Sequence, residues 1–248
     1  MKYKKDEITV ILSTWKRNYL KRQLQMLFAQ TKKPYQVWIY QNESHLQIPK
    51  EFRKRSDVSL IQSHDINFKF HGRFMLPLLC DTEYVAIFDD DTMPGTKWLE
   101  NCLDTSKRNN CIVGANGRIM KQGFEEQNKE YSIGLGDGKS IEEEREVDFV
   151  GHCWFFKSEW CKYLWMDRPH TWDNGEDIHL AASSQIHGDI KCYIPKQPSN
   201  DKEMWGDLEI HLGSDDHASW KKTDHSLLRG AVIKHWYDKG WRPLAMRD

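Results

Sequence analysis

Tyr84-Val85-Ala86-Ile87-Phe88 is an unbroken apolar run that stops at three carboxylates, Asp89-Asp90-Asp91, and then turns at Met93-Pro94-Gly95. Such a run reads as a buried strand. Open α/β sheets hold their ligands beyond the C-terminal ends of their strands, where these acids fall. Hard cations such as Mg²⁺ or Mn²⁺ take carboxylate oxygens together with those of a substrate diphosphate. Three adjacent acids repel by about 1 kcal/mol per pair even when well solvated, unless a cation compensates them. The cluster therefore points to a divalent-metal site that serves a nucleotide-linked substrate. The competing reading is a solvated acidic turn, since Asp is also favoured where a helix begins.

The first half of the chain alternates strands and helices. Ile8–Leu12 reads as a β-branched strand closed by Ser13-Thr14, and Leu20, Leu24, Leu27 and Phe28 fall at helical spacing. Strands are expected at Gln36–Tyr40 and Val58–Ile61, and helices at Phe70–Leu79 and Trp98–Ser106. Repeated units of this size imply a mixed, mostly parallel sheet flanked by helices, with right-handed crossovers. The second half is less regular. Strands are expected at Val147–Phe156 and Lys191–Ile194, and helices at Ile178–Ile186 and Ser226–Tyr237. Gly134-Leu135-Gly136-Asp137-Gly138 reads as a flexible loop without the strand–turn–helix setting of a phosphate-binding motif. The polar stretch Ser199–Asp216 reads as a mobile loop. No repeat or low-complexity linker divides the chain. One α/β domain of 248 residues follows, with residues 1–110 as a nucleotide-binding half and 111–248 as an acceptor-binding half.

Composition narrows the function classes. Lys+Arg 36 against Asp+Glu 37 gives a net charge of -1, so no global basic field supports nucleic-acid binding. The six cysteines are scattered without a C-x-x-C pair, which describes neither a zinc site nor a disulfide frame and fits reduced, buried thiols. No signal peptide opens the sequence, and no run approaches the ~20 apolar residues that span a bilayer. A soluble, cytoplasmic protein is expected. The lack of anchoring elements fits a bacterial, phage or viral origin.

Four features share one order along the chain. Thr14-Trp15-Lys16-Arg17 closes the first strand, Tyr40-Gln41-Asn42 the second, and Asn67 to Phe74 leads into the acidic strand. Trp172-Asp173-Asn174-Gly175-Glu176-Asp177-Ile178 stands farther on. This ordered set, roughly Ile8 to Asp177, resembles the GT-A fold glycosyltransferases, most closely the exostosin type and more broadly the family-2-like group. Thr14-Trp15-Lys16-Arg17 matches the exostosin-type Thr-Tyr-Asn-Arg, with Lys16 in place of Asn. Gly72-Arg73-Phe74 matches Asn-Arg-Phe, and Asn174-Gly175-Glu176-Asp177 matches Asn-Cys-Glu-Asp, with Gly175 in place of Cys. Asp89 to Pro94, followed by Trp98-Leu99-Glu100, is similar to family-2 enzymes.

The resemblance implies a metal-dependent transfer of a sugar, of the hexosyl kind, from a nucleoside-diphosphate donor to a glycan or other hydroxyl acceptor. UDP is the expected nucleotide and Mn²⁺ or Mg²⁺ the expected cofactor. It implies that Asp91, with Asp89, holds the metal and that Asp89 and Asp90 face the ribose. Thr14, Arg17, Asn42, Asn67, Arg73, Asn174 and Lys222 are the further nucleotide-sugar candidates. Arg73 suits bidentate contact with a diphosphate, although a salt bridge to a nearby Asp explains it equally. Asp177, then Glu176, are the catalytic candidates: a general base in an inverting enzyme, or an acceptor-positioning group in a retaining one. On residues alone these two acids would be helix-start chemistry. Trp154 is the acceptor-cleft candidate, with a core position as its alternative. Lys221 is a second basic candidate, and His217 or His225 a late metal ligand.

Two rival classes carry their own expectations. A nucleotidyltransferase would use the same sheet edge and metal but consume a nucleoside triphosphate. A non-catalytic carbohydrate-binding protein on a degenerate scaffold would bind glycans without turnover. A haloacid-type phosphatase does not fit, because Met93 stands where its motif, counted from Asp89, needs Thr, and a P-loop NTPase is not expected because no Gly-rich Walker loop with Lys-Ser or Lys-Thr appears.

Overall fold

The computed structural model describes residues 2–43, 46–120, 130–134 and 139–247. Of the glycine-rich loop expected at 134–138, residues 135–138 lie outside them, and Gly134 ends a strand. Strands β1 (Lys4–Thr14), β2 (Gln36–Asn42), β3 (Val58–Ser63) and β4 (Thr82–Phe88) form a parallel half-sheet in the order β3-β2-β1-β4. Strands β5 (Ile112–Met120), β6 (Glu130–Gly134), β7 (Arg145–Val147), β8 (Phe149–Lys157) and β9 (Cys192–Ile194) continue it as β8-β5-β9-β7, with β6 paired to β5. In this half only β5 and β9 run parallel.

Helices α1 (Leu20–Phe28) and α2 (Trp98–Asn109) cover one face, and α3 (Cys161–Leu164), α4 (Glu176–Gly188) and α5 (His225–Asp238) the other. The strand period of two divides β4 between the resulting cores. Tyr84, Ala86 and Phe88 pack with Leu24, Trp98 and Leu99, whereas Val85 and Ile87 pack with Ile178, Ala181 and Trp236. Burial of each such large apolar side chain contributes about 1.5–3 kcal/mol.

Four expectations change. The segment read as a helix from Phe70 is a 3₁₀ helix, Gly72–Leu79, because Pro77 lies inside it and removes an N–H donor. The strand read as Val147–Phe156 is two strands, β7 and β8, separated at Asp148. The buried Asp148 carboxylate accepts the N–H groups of Met120 and Leu244, each at 2.6 Å. The stretch 199–216, read as mobile, is packed against the acidic turn. There Gly95 N–H donates to Trp205 O (2.8 Å) and Leu208 N–H to Met93 O (2.7 Å). Finally, β5 lies at the centre of the second half although no strand was expected there. Its Gly114 is obligatory, since a Cβ would lie 2.3 Å from Val150 Cβ and 2.8 Å from Cys153 O. Gly114→Ala is therefore expected to destabilise the fold by about 2 kcal/mol through overpacking. Thermal denaturation would record this as a fall in Tm of roughly 4–8 °C for a chain of this size.

Candidate active site

The parallel register brings the C-terminal ends of β1, β2 and β4 to one rim, with Leu12 opposite Phe88 and Thr14 opposite Gln41. Asp89, Asp90 and Asp91 leave the sheet there. Their backbone is held from two sides. Gln23 on α1 donates its Nε2 to Asp89 O (2.7 Å) and Thr92 O (3.1 Å). On β8, the carbonyl of His152 accepts from Asp89 N–H (3.2 Å) and Thr92 Oγ1 (2.9 Å). His152 reaches that position with a φ of 65, a left-handed conformation uncommon for a non-glycine residue.

Asp91 is buried, Asp89 and Asp90 are half-buried, and the acids outnumber the nearby cations. Burial pushes the Asp90 carboxyl up to about 7, against the opposing pull of Arg17. Asp91 is also pushed up, by burial first and the charge of Asp89 second. Arg17 is the internal counter-ion. Its Nη1 lies 2.6 Å from Asp90 Oδ1 and 2.8 Å from Asp91 Oδ2, while Nε and Nη2 fork onto Asp215, each at 2.7 Å. The Arg17 bond holds the Asp215 carboxyl down at about 2. Asp207 supports the same turn: its Oδ1 accepts Met93 N–H and Glu209 N–H, each at 3.0 Å. Burial raises its carboxyl to about 6.

Arg73 joins the rim to the second acidic pair. One Nη binds the Asp89 carboxylate, and the other donates to Glu176 Oε1 at 2.8 Å. The guanidinium lies 4.4 Å from the Trp154 ring centroid. Burial and then the charge of Asp177 push the Glu176 carboxyl up to about 7, which Arg73 only partly offsets. Glu176 and Asp177 open α4, whose N-cap Gly175 takes a φ of 81. A Cβ there would also meet Val232 Cγ2 of α5 at 2.9 Å, so glycine serves both backbone and packing.

Residues 9–165, more than half of the chain, match the family described as Glycosyl transferase family 2. The chain belongs to glycosyl transferase family 2. That membership makes it a glycosyltransferase on a GT-A type α/β scaffold, and implies a nucleotide-sugar donor and an acceptor. No curated protein matches this family-2 chain. Among its described residues no helix is long and apolar enough to cross a membrane.

The structure brings some of the expected site residues of this transferase together and leaves others apart. Asp89, Asp90, Asp91, Arg17, Arg73, Glu176 and Asp177 form one linked network. Thr14 ends β1 with a buried hydroxyl that has no partner among the described residues. Asn42 and Asn67 engage each other: Asn42 Nδ2 donates to Asn67 Oδ1 at 2.6 Å, and Asn42 Oδ1 accepts Phe68 N–H at 2.9 Å. They shape the loop that delivers Arg73. Trp154 is 2% exposed and lies beneath Arg73, edge-on to Phe74 at 5.4 Å, so its face supports the guanidinium. Asn174 faces α5, where its Nδ2 meets His225 Nδ1 at 3.0 Å. His225 thus sits on the α4 side of the site, and His217 lies edge-on to Trp15 at 6.4 Å. Lys222 is exposed near Asp173, and Lys221 donates to Ser214 O at 2.6 Å.

Sequence reading missed Gln23, His152, Asp207, Asp215 and Arg229. Only Asp215 had a signal, standing two residues before the candidate His217.

The donor chemistry at the rim fits a hard divalent cation. Asp89 and Asp91 offer oxygen ligands, and burial together with mutual repulsion raises Asp91, which a cation would relieve. Among the described residues no group of three or more His, Cys, Asp or Glu could hold a metal by itself.

Proposed function

We propose that this transferase moves a hexosyl group from a UDP-sugar to a glycan or other hydroxyl acceptor, with inversion, and that Mn²⁺ or Mg²⁺ is required. The observation that carries the reading is Arg73, which spans Asp89 at the metal-type rim and Glu176 beside Asp177. One guanidinium sets the distance between the two acidic centres, so a single donor can meet both. Asp91 and Asp89 would hold the cation, which when bound supplies Lewis-acid stabilisation of the departing diphosphate. Thr14 offers the nucleoside a hydroxyl that has no partner among the described residues, in keeping with the exostosin-like motif it opens. Asp177 takes the acceptor proton. Glu176, its carboxyl raised to about 7 by burial and then by the charge of Asp177, braces Arg73. Residues 1–110 form the nucleotide side and 111–248 the acceptor side.

Family membership weighs against the nucleotidyltransferase reading, and the intact acids at both centres weigh against a non-catalytic lectin. A thermal-shift series with UDP, GDP, ADP and CDP, each with and without Mn²⁺, tests the donor. At about 100 times its Kd, UDP with Mn²⁺ is expected to raise Tm by roughly 5–10 °C, more than the sum of the separate effects. A response to GDP alone would reassign the base. No response to any diphosphate would remove the sugar-nucleotide reading.

A further inference from the structure

Helix α5 lies beyond the family-matched residues, yet it delivers a guanidinium to the candidate base. Arg229 Nη1 donates to Asp177 Oδ1 at 2.9 Å, and Nη2 donates to Oδ2 at 3.0 Å. Oδ1 also accepts the backbone N–H of Ile178 at 2.8 Å, so two donors occupy it. Oδ2 has only the Arg229 contact among the described residues, and retains acceptor capacity for a hydroxyl. Both side chains of the pair are 11% exposed.

The fork is itself fixed. The Arg229 guanidinium lies 5.2 Å from the Phe149 ring centroid, and Nη1 approaches Asn174 Oδ1 at 3.4 Å. Asn174 is in turn held by His225, one turn before Arg229 on the same helix. Val232, one turn nearly beyond, seats against Gly175 where any Cβ would crowd it. Helix α5 is thereby keyed at three positions to residues 174–177, where α4 begins.

We infer that Arg229 is a positioning residue for the transfer step, fixing the plane of the Asp177 carboxylate and leaving Oδ2 as its proton-accepting atom. The inference rests on the reading of Asp177 as general base. In that step the acceptor O–H proton passes to Asp177 Oδ2, and the acceptor oxygen bonds to the anomeric carbon. The bond from that carbon to the diphosphate oxygen breaks, leaving its electron pair on the diphosphate. Arg229 transfers no proton. A bidentate planar fork defines orientation in a way that the single ammonium of Lys cannot.

The test compares Arg229→Gln, Arg229→Lys, Arg229→Ala, Asp177→Asn and the double variant Asp177→Asn/Arg229→Gln in the Mn²⁺-loaded full chain with a UDP-sugar. Arg229→Gln is expected to lower kcat on the order of 100-fold, with donor KM changed by less than about twofold, and Arg229→Lys to fall between it and the parent. Added guanidinium is expected to restore the Arg229→Ala rate by about tenfold, because the cation can re-enter its slot. The double variant is expected to be no slower than Asp177→Asn alone, since both changes disable one unit. Parental kcat in Arg229→Gln would overturn the inference. So would a parallel loss of turnover and nucleotide-induced thermal shift without guanidinium rescue, or fully multiplicative losses in the double variant. Parental transfer by Asp177→Asn would instead refute the general-base reading, and this inference would fall with it.

Discussion

Asp91→Asn is expected to reduce metal-dependent transfer on the order of 10³-fold, equivalent to about 4 kcal/mol of transition-state stabilisation. Asn keeps the shape of the side chain but removes the charge that a divalent cation needs. The fold should survive the change. Arg17 loses its 2.8 Å contact with Asp91 but keeps Asp90 and the fork onto Asp215. Removing one carboxylate also relieves a cluster in which burial and Asp89 already disfavour the charge on Asp91. The apo protein is therefore expected to melt at or slightly above the parental temperature. Its UDP response should lose its dependence on Mn²⁺. Calorimetric titration of Mn²⁺ in the presence of UDP measures the effect directly, and parental Mn²⁺ affinity would displace the metal from this rim.

The acidic rim was legible because its signal is local. An uninterrupted apolar strand followed by three acids needs no distant partner to be read, and the structure puts Tyr84 to Phe88 at the junction of both cores. Glu176 and Asp177 were legible only through the resemblance, since acids in a first helical turn are ordinary. Strand β5 was hidden by its own chemistry: Gly114, Asn116 and Gly117 weaken any strand pattern, and the necessity of the two glycines lies in Val150 and Ile194 on the neighbouring strands. The order of 199–216 was hidden for a related reason. It comes from Asp207 accepting Met93 N–H, and from Gly95 and Gly206 allowing close approach to Glu203 and Trp98. Arg229 gave no signal, because its meaning appears only when α5 docks on α4. Asn42, Asn67 and Trp154 illustrate the same limit. Their contacts with each other and with Arg73 carry no sequence signal and appear only in the tertiary structure.

Asp177→Asn is expected to lower transfer by about 10³–10⁴-fold while leaving UDP and Mn²⁺ binding close to parental, because general-base removal acts on the chemical step. The structure also predicts a side effect. An amide nitrogen facing Arg229 would set donor against donor and leave a buried guanidinium incompletely paired, at about 1–3 kcal/mol. A modest fall in Tm should therefore accompany the loss of turnover, and stability and catalysis must be separated. The double variant Asp177→Asn/Arg229→Gln removes the buried charge and should regain much of that Tm, yet it should not regain transfer. Glu176→Gln supplies the contrast. Its carboxyl is already raised to about 7 by burial and the neighbouring Asp177, so an uncharged isostere resembles a state it occupies near neutral pH. Its loss of transfer is expected to stay within about tenfold, provided that Arg73 keeps Asp89 as partner. The order of the two effects assigns the base: a larger loss from Glu176→Gln than from Asp177→Asn would move proton acceptance to Glu176. Arg229 would then be a bracket on a spectator acid.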